Sequence, residues 1–104
     1  MPGAVEIPIT ASWIATEHTP DAIVCLGCVI RGETDHFEVV CQQVSHGVQQ
    51  VSLNTQIPIA FGVLTVNDFN QALQRTGGTA GNKGAQAMEA ALKMIAVKQT
   101  IKEF

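Results

Sequence analysis

Six consecutive residues of this chain combine groups that could handle an anion and a proton. Arg31-Gly-Glu-Thr-Asp-His36 stands between an apolar run, Ile23 to Ile30, and a segment with helical apolar spacing. A strand that opens into a helix leaves backbone N–H groups of the first helical turn without partners, and such groups attract anions. His36 adds an imidazole, which gives or takes a proton near neutral pH. The segment suggests phosphate chemistry; the alternative is that His36 is a helix-cap residue without a chemical role.

Two basic residues further along the chain could each bind an anion. Arg75 ends a short helical segment and precedes the glycine-rich stretch 76–82. Its guanidinium could interact with the C-terminus of that helix or form a fork for a phosphate. Lys83 stands near a helix start, where a cation is unfavourable for the helix dipole, so a bound anion or a carboxylate partner is inferred. Glu6, near another helix start, either interacts with the helix dipole or accepts hydrogen bonds from a polyol or amide ligand.

The three cysteines, Cys25, Cys28 and Cys41, are interpreted as free thiols. Cys25 and Cys28 have the spacing of a metal or redox pair, but residues three apart on a strand point to opposite faces. We therefore expect buried apolar thiols in a reducing compartment. With no signal peptide before the domain and no run of about 18 apolar residues, we expect a cytoplasmic protein.

Composition narrows the classes of partner. The 104 residues are 46% hydrophobic and only 14% charged, so much of the surface is expected to be covered, most simply by self-association. A net charge of −3 argues against nucleic acid or an anionic membrane as the main partner.

Four further side chains are assigned by their surroundings in the sequence. His18 and His46 are expected to be solvated. Trp13 and Met88 lie on apolar stripes and are expected in the core or an interface.

The elements that must position these residues alternate between helix and strand. The pattern predicts a first helix from Glu6 or Ile7 to about Thr16 and a second over 36–55. A short third helix is predicted from a cap at Asn67 or Asp68 to about Arg75. After a flexible stretch, 76–82, the last helix is predicted to end near Gln99. Strands are predicted over 22–30 and 56–65, both as buried runs. In the last helix, apolar positions 85, 88, 92 and 95 are expected to face inward. The alternation predicts an α/β sandwich with a parallel sheet, of which only two strands are evident.

Four motifs in order along the chain resemble those of 6,7-dimethyl-8-ribityllumazine synthase. They are Pro2-Gly-Ala-Val-Glu-Ile-Pro8, Gly27-Cys-Val-Ile-Arg-Gly-Glu-Thr-Asp-His-Phe37, Pro58-Ile-Ala-Phe-Gly-Val-Leu-Thr65 and Thr79-Ala-Gly-Asn-Lys-Gly84. The resemblance implies a three-layer α/β/α sandwich of flavodoxin-like type. It also implies the penultimate step of riboflavin biosynthesis, in which 5-amino-6-(D-ribitylamino)uracil condenses with 3,4-dihydroxy-2-butanone 4-phosphate. It implies no cofactor and no metal, and pentamers that in many members close into an icosahedral 60-mer.

The resemblance also implies a role for each matching residue. Ala4, Val5 and Glu6 would hold the ribitylaminouracil, and Cys28, Val29 and Ile30 would line the pyrimidine pocket. Phe61 would pack near the uracil of a neighbouring subunit's site. Glu33 and Thr34 would present backbone N–H groups and the Thr hydroxyl to the butanone phosphate, with Arg75 as a phosphate clamp and Lys83 beside it. His36 would be the proton donor and acceptor.

Two departures from the family pattern bear on this prediction. Position 5 is Val, where the family usually has an aromatic residue. Met1 stands directly before Pro2, so we expect residues 1–104 to form the C-terminal two-thirds of the family domain. A strand, a helix, a second strand and an aromatic that stacks on the pyrimidine would then be missing. The alternative function is a catalytically impaired fragment that serves as an assembly module of the pentamer or shell.

Overall fold

The computed structural model describes residues 1–104 and contains four α-helices and four β-strands. The helices are α1 (Ile7–His18), α2 (His36–Thr55), α3 (Phe69–Gln74) and α4 (Lys83–Lys102). The strands are β1 (Ile23–Ile30), β2 (Ile59–Val66), β3 (Thr76–Gly78) and β4 (Gly81–Asn82). A 3-10 turn, Ala4–Glu6, leads into α1. None of the helices is long and apolar enough to cross a membrane.

The central sheet is the parallel pair of β1 and β2. Its register runs from Ile23 opposite Ile59 to Ile30 opposite Val66. Parallel neighbours need a crossover connection, and α2 provides it. The α1 and α2 helices pack on one face of the sheet and α4 packs on the other. The predicted α/β class, with helices on both faces of a parallel sheet, is therefore confirmed.

The main core lies between α2 and the sheet. Val40, Val44 and Val48 form one buried stripe of α2, at the helical spacing that the sequence predicted. They pack with Cys25 of β1 and Val63 of β2, and Ile7 of α1 completes the cluster. Val44 is the most buried large side chain, at 1% exposure. This packing holds α2 across the sheet, so its N-terminus lies beside the carboxyl end of β1.

The inward face of α4 differs from the prediction. Met88 and Leu92 are 50% and 54% exposed, whereas Ala87 and Ala91 are buried; Ala85 is also exposed and Ile95 is only half-buried. The cause is a close approach between backbones, because a Cβ on Gly62 would stand 3.1 Å from the Cβ of Ala87. Only small side chains fit where helix and strand are this close, so the alanine stripe faces the sheet and the larger apolar stripe does not.

The prediction that β1 is buried on both faces was also wrong. Cys25 is buried against α2, but on the opposite face Leu26 is 60% exposed and Cys28 is exposed. The reason is that α4 packs mainly over β2 and covers β1 less. Trp13, on α1, is 62% exposed, so the core interpretation fails for Trp13 as it does for Met88. An interface role for both stays a prediction.

The glycine-rich stretch 76–82 forms a small antiparallel hairpin and not the flexible connection that was predicted. β3 pairs with β4, with Thr76 opposite Asn82. Gly77 and Gly81 have φ values of 111° and 86°, a region that side chains rarely allow. The Oε1 atom of Gln74 accepts hydrogen bonds at 2.9 Å from both the amide and the hydroxyl of Thr79. These contacts close the turn.

The boundaries of the other elements agree closely with the sequence. The helix predicted over 36–55 has those bounds, and Asp68 caps α3 by accepting a 2.8 Å hydrogen bond from the amide of Gln71. β2 begins at Ile59, three residues later than the predicted start at 56. Gln56 ends α2 in a left-handed conformation with φ of 60°, so the chain must turn before the strand can start.

Candidate active site

The loop between β1 and α2 presents a row of free backbone donors. The N–H groups of residues 32–35 and of Phe37 have no hydrogen-bond partner within the protein. All four loop residues are exposed, and the loop stands at the N-terminus of the twenty-residue helix α2. The positive end of that helix dipole adds to the attraction of the free donors for an anion. The loop thus has the donors that the sequence predicted for an anion site.

His36 is the first residue of α2 and lies at the end of this row of donors. Its backbone N–H donates a 3.3 Å hydrogen bond to Oγ1 of Thr34, which fixes the first helical turn against the loop. The residue is exposed, and its imidazole has no hydrogen bond to another group of the protein. Both ring nitrogens are therefore free to form hydrogen bonds with a ligand.

The Ala4–Glu6 turn is brought close to the same helix. It contacts both α2 and β1, and Ala4 packs against the core cluster. Val5 is 41% exposed and faces Val39 across a groove of about 490 Å³ that also includes His46 and several glutamines of α2. Val39 lies one helical turn beyond His36. The fold therefore brings the predicted ribityl-binding turn to the helix that carries His36.

The last three residues of β1 reach the loop but do not share one face. Cys28 and Ile30 are exposed on the α4 side of the sheet, with Ile30 at 43% exposure. Val29 is half-buried and packs against the core cluster on the α2 side. Because side chains alternate along a strand, the three residues cannot form one flat wall. Their backbone, at the carboxyl end of β1, is the part that they have in common.

Arg75 and Lys83 are joined by the hairpin. The amide of Lys83 donates a 2.8 Å hydrogen bond to the carbonyl of Arg75, so the two basic residues lie side by side. Nη1 of Arg75 donates a 3.0 Å hydrogen bond to the carbonyl of Gln71, which confirms an interaction with the C-terminal part of α3. Nζ of Lys83 lies 3.4 Å from Oε1 of Gln86, within its own helix. The other guanidinium nitrogens of Arg75 make no hydrogen bond to the protein.

Phe61 stands apart from the other predicted residues. It lies five residues before the carboxyl end of β2, a distance of about 16 Å at roughly 3.3 Å per residue. It is 42% exposed and borders a groove of about 240 Å³ with Leu53 and Ser45 of α2. Within one chain, Phe61 and His36 therefore belong to different places on the surface.

Arg31 has contacts that the sequence interpretation did not assign. Its Nε donates a 2.9 Å hydrogen bond to Oδ1 of Asn67, and its Nη1 lies 3.5 Å from Oε1 of Glu38. The guanidinium carbon is 4.5 Å from the centroid of the Phe37 ring. No signal in the sequence could have revealed the contact with Asn67, because the two residues are 36 positions apart and meet only when β1 and β2 pair.

Two cysteine thiols, those of Cys25 and Cys41, have raised pKa values. Burial raises the pKa of the Cys25 thiol. Burial also raises the pKa of Cys41, with a smaller lowering by Arg31 and a smaller raising by Glu38. No group of three or more His, Cys, Asp or Glu side chains could hold a metal ion. His18 and His46 are exposed, as predicted for solvated histidines.

Taken together, the loop places free backbone donors beside the exposed imidazole of His36, and the hairpin carries the paired positive charges of Arg75 and Lys83. Such a set suits the elimination of a phosphate, since donors placed where negative charge develops stabilise the leaving group.

Comparison with known proteins gives one consistent result. The family model of 6,7-dimethyl-8-ribityllumazine synthase matches residues 1–99. A curated protein of that name from the Dugway strain of Coxiella burnetii is 55% identical over 101 residues, which cover 97% of this chain and 67% of the relative. Its counterpart from the CbuG strain is 54% identical with the same coverage.

Proposed function

The chain belongs to the 6,7-dimethyl-8-ribityllumazine synthase family, and from that premise we propose how its residues carry out the reaction. The activity is that of a transferase of riboflavin biosynthesis. The substrates are 5-amino-6-(D-ribitylamino)uracil and 3,4-dihydroxy-2-butanone 4-phosphate, and residues 1–104 act as one synthase domain. One observation carries the assignment of the site: a row of unpaired loop amides ends at an exposed imidazole, that of His36.

The phosphate of the butanone binds the loop between β1 and α2. The amides of Glu33 and Thr34 donate to its oxygens, and the Thr34 hydroxyl, whose oxygen already accepts from His36, is free to donate its proton. Arg75 and Lys83 supply positive charge from the hairpin. Their proximity to each other supports a shared role, since the hairpin joins their backbones at 2.8 Å.

The ribitylaminouracil binds between the Ala4–Glu6 turn and the carboxyl end of β1. Glu6 accepts hydrogen bonds from ribityl hydroxyls, with Ala4 and Val5 beside it. Cys28, Val29 and Ile30 border the pyrimidine, chiefly through their backbone. The alternating faces of these three residues support a backbone role, because only one of them, Val29, packs toward the core.

Phe61 serves the site of a neighbouring subunit. The separation of about 16 Å along β2 from the carboxyl end of the sheet supports this assignment, since within one chain Phe61 cannot reach a ligand at His36. Its partly exposed ring, in a groove beside α2, is available to a second copy of the chain.

His36 moves the protons of the reaction. Imine formation, phosphate elimination and ring closure each need a proton transfer, and a histidine can give and take protons near neutral pH. Holding both substrates in one pocket supplies much of the remaining acceleration, since effective molarities of ~10⁵ M or more occur in favourable cases. The phosphate leaves while its growing charge is held by the loop amides and Arg75.

The chain assembles into a homo-oligomer, a pentamer that can close into an icosahedral 60-mer. Large apolar side chains at the surface support assembly: Ile9 and Trp13 of α1 are 48% and 62% exposed, and Met88 and Leu92 of α4 are exposed to a similar degree. The compartment is the cytoplasm, and three free thiols support a reducing environment. The named relatives favour the enzyme over the alternative of an assembly module.

A direct assay tests the proposed function. Purified chain is mixed with both substrates, and ribityllumazine formation is followed against the spontaneous condensation without protein. We expect turnover well above that background, and a loss of roughly 10²–10⁴-fold in His36→Ala, the range for removal of a general acid–base group. His18→Ala is the matched control, since His18 is exposed, ends α1 and has no proposed role. Turnover no faster than the spontaneous reaction contradicts the proposal.

A further inference from the structure

We propose that Gln74 is a positioning residue, whose side chain closes the β3–β4 hairpin and so holds Arg75 and Lys83 together as one phosphate-binding unit. This assignment rests on the proposed function and adds a residue that the sequence interpretation did not single out. It needs only contacts inside the hairpin and at the end of α3, so it holds whichever subunit of the oligomer supplies the rest of the phosphate site.

The two basic residues of the hairpin are held together without a negative partner. Thr76 lies opposite Asn82, and Arg75 and Lys83 are the next residues outward on the two strands. The amide of Lys83 donates a 2.8 Å hydrogen bond to the carbonyl of Arg75, and neither side chain forms an ion pair within the chain. Like charges on opposite residues repel each other. A bound anion would stabilise this arrangement, because it pairs with both cations.

Gln74 is the last residue of α3, and the turn of the hairpin folds over it. Its carbonyl accepts a 2.9 Å hydrogen bond from the amide of Ala80. Its side-chain Oε1 accepts from the amide and from the hydroxyl of Thr79, each at 2.9 Å. A Cβ on Gly78 would stand only 2.6 Å from the same oxygen, so the backbone of the turn lies directly against the Gln74 side chain.

These contacts bear on the two cations because the hairpin is too short to hold itself together. β3 has three residues and β4 has two, and an isolated two-stranded hairpin is marginally stable at best. Gln74 directly precedes Arg75, so its bonds to Thr79 hold the turn against the residue beside the first cation. Without them the hairpin opens more often, and the amide of Lys83 leaves the carbonyl of Arg75.

Five variants test this role. Gln74→Met keeps the length of the side chain and removes the acceptor, whereas Gln74→Glu keeps an acceptor oxygen. Thr79→Val removes the hydroxyl donor alone, and a double variant combines it with Gln74→Met. Gln99→Met is the control, since Gln99 is an exposed glutamine of α4 with no proposed role. Thermal unfolding confirms that each variant is folded.

Three measurements are made on each variant. Hydrogen exchange of the Lys83 amide, followed by mass spectrometry, reports how often its bond to Arg75 opens. Calorimetric titration with inorganic phosphate gives an affinity that does not depend on turnover. Steady-state kinetics give kcat and separate KM values for the butanone phosphate and the ribitylaminouracil.

The expected result is a loss confined to phosphate binding. Gln74→Met speeds exchange of the Lys83 amide, lowers phosphate affinity and raises the KM for the butanone phosphate, each by roughly tenfold for two lost hydrogen bonds. The kcat and the other KM stay within about twofold, as does every value for Gln99→Met. Thr79→Val has a smaller effect, and the double variant is no worse than Gln74→Met, because the hydroxyl acts through the same oxygen. Gln74→Glu keeps the Lys83 amide protected.

Three outcomes overturn the role of Gln74 while leaving the proposed function intact. The first is a Gln74→Met variant that matches Gln99→Met in phosphate affinity and in both KM values, even if its hairpin exchanges faster. The second is an equal rise in the two KM values, which indicates general disruption. The third is Gln74→Glu exchange as fast as that of Gln74→Met.

The two proposals can also fail separately in the other direction. If the unchanged chain makes no ribityllumazine but its phosphate affinity shows the pattern expected for Gln74, the proposed function fails and the role of Gln74 stands. A chain that neither binds phosphate nor turns over contradicts both.

Discussion

The amide nitrogen of His36 lies 3.3 Å from the hydroxyl oxygen of Thr34 and donates a hydrogen bond to it. The bond occupies one acceptor site of the hydroxyl and leaves its proton free. It also ties the first residue of α2 to the loop, in the manner of an ST turn. The residue proposed to move protons and a residue proposed to hold the phosphate are thus fixed to each other by a single contact.

Replacement of Thr34 tests this contact. We expect Thr34→Val to lower kcat/KM by about tenfold, since it removes both the acceptor for the His36 amide and a donor to the phosphate. Thr34→Ser keeps the hydroxyl and is the matched control, with a change of less than about threefold. Steady-state kinetics at one pH measure both variants. Equal losses in the two variants would show that the hydroxyl has no part in the site.

Arg75 is expected to act mainly on phosphate binding. Arg75→Gln should raise the KM for the butanone phosphate by roughly tenfold or more and change the KM for the ribitylaminouracil little, because a charge-assisted bond to the phosphate is lost. The control is Lys93→Gln, which removes one positive charge from an exposed part of α4. Separate titrations of the two substrates give the two KM values. An equal rise in both would indicate general disruption and contradict a specific phosphate role.

Gly62 is expected to be intolerant of a side chain. A Cβ at this position would stand 2.8 Å from Cδ2 of Leu26, 2.9 Å from the carbonyl oxygen of Cys25 and 3.1 Å from Cβ of Ala87. Gly62→Ala should lower the free energy of unfolding by about 1–3 kcal/mol, the usual cost of overpacking. Gly32→Ala is the control for stability, since a Cβ there meets nothing within 4 Å. Denaturant unfolding measures both; equal stability of the two variants would contradict the close packing around Gly62.

The three thiols are expected to react with iodoacetamide in a definite order. Cys28 is exposed and should be alkylated first at pH 8, whereas Cys25 should be slowest because it is buried and burial raises its pKa. The thiolate is the reactive form, so a raised pKa means that alkylation of Cys25 and Cys41 continues to speed up as the pH rises above the ordinary thiol value. Peptide mapping by mass spectrometry gives the three rates. In Cys28→Ser the fast phase should vanish; a fast phase that remains on Cys25 would contradict the packing.

Features that depend on neighbours along the chain were predictable. The bounds of α2, the Asp68 cap and the opposite faces of Cys25 and Cys28 follow from helical spacing, a capping side chain and the alternation of a strand. The loop before His36 was predictable for the same reason, because a strand followed by a helix leaves free amides at the junction. The family motifs are likewise short and contiguous, which is why the family could be inferred from them.

The sequence by itself determined the order of the elements, the core stripe of α2 and the candidate residues of the phosphate loop. Only the tertiary structure decided which face of α4 meets the sheet, because that choice depends on how closely Gly62 lets the helix approach and not on the hydrophobicity of the helix. It also decided the partner of Arg31. Asn67 is 36 residues away, and the two side chains meet only because the paired strands β1 and β2 end side by side.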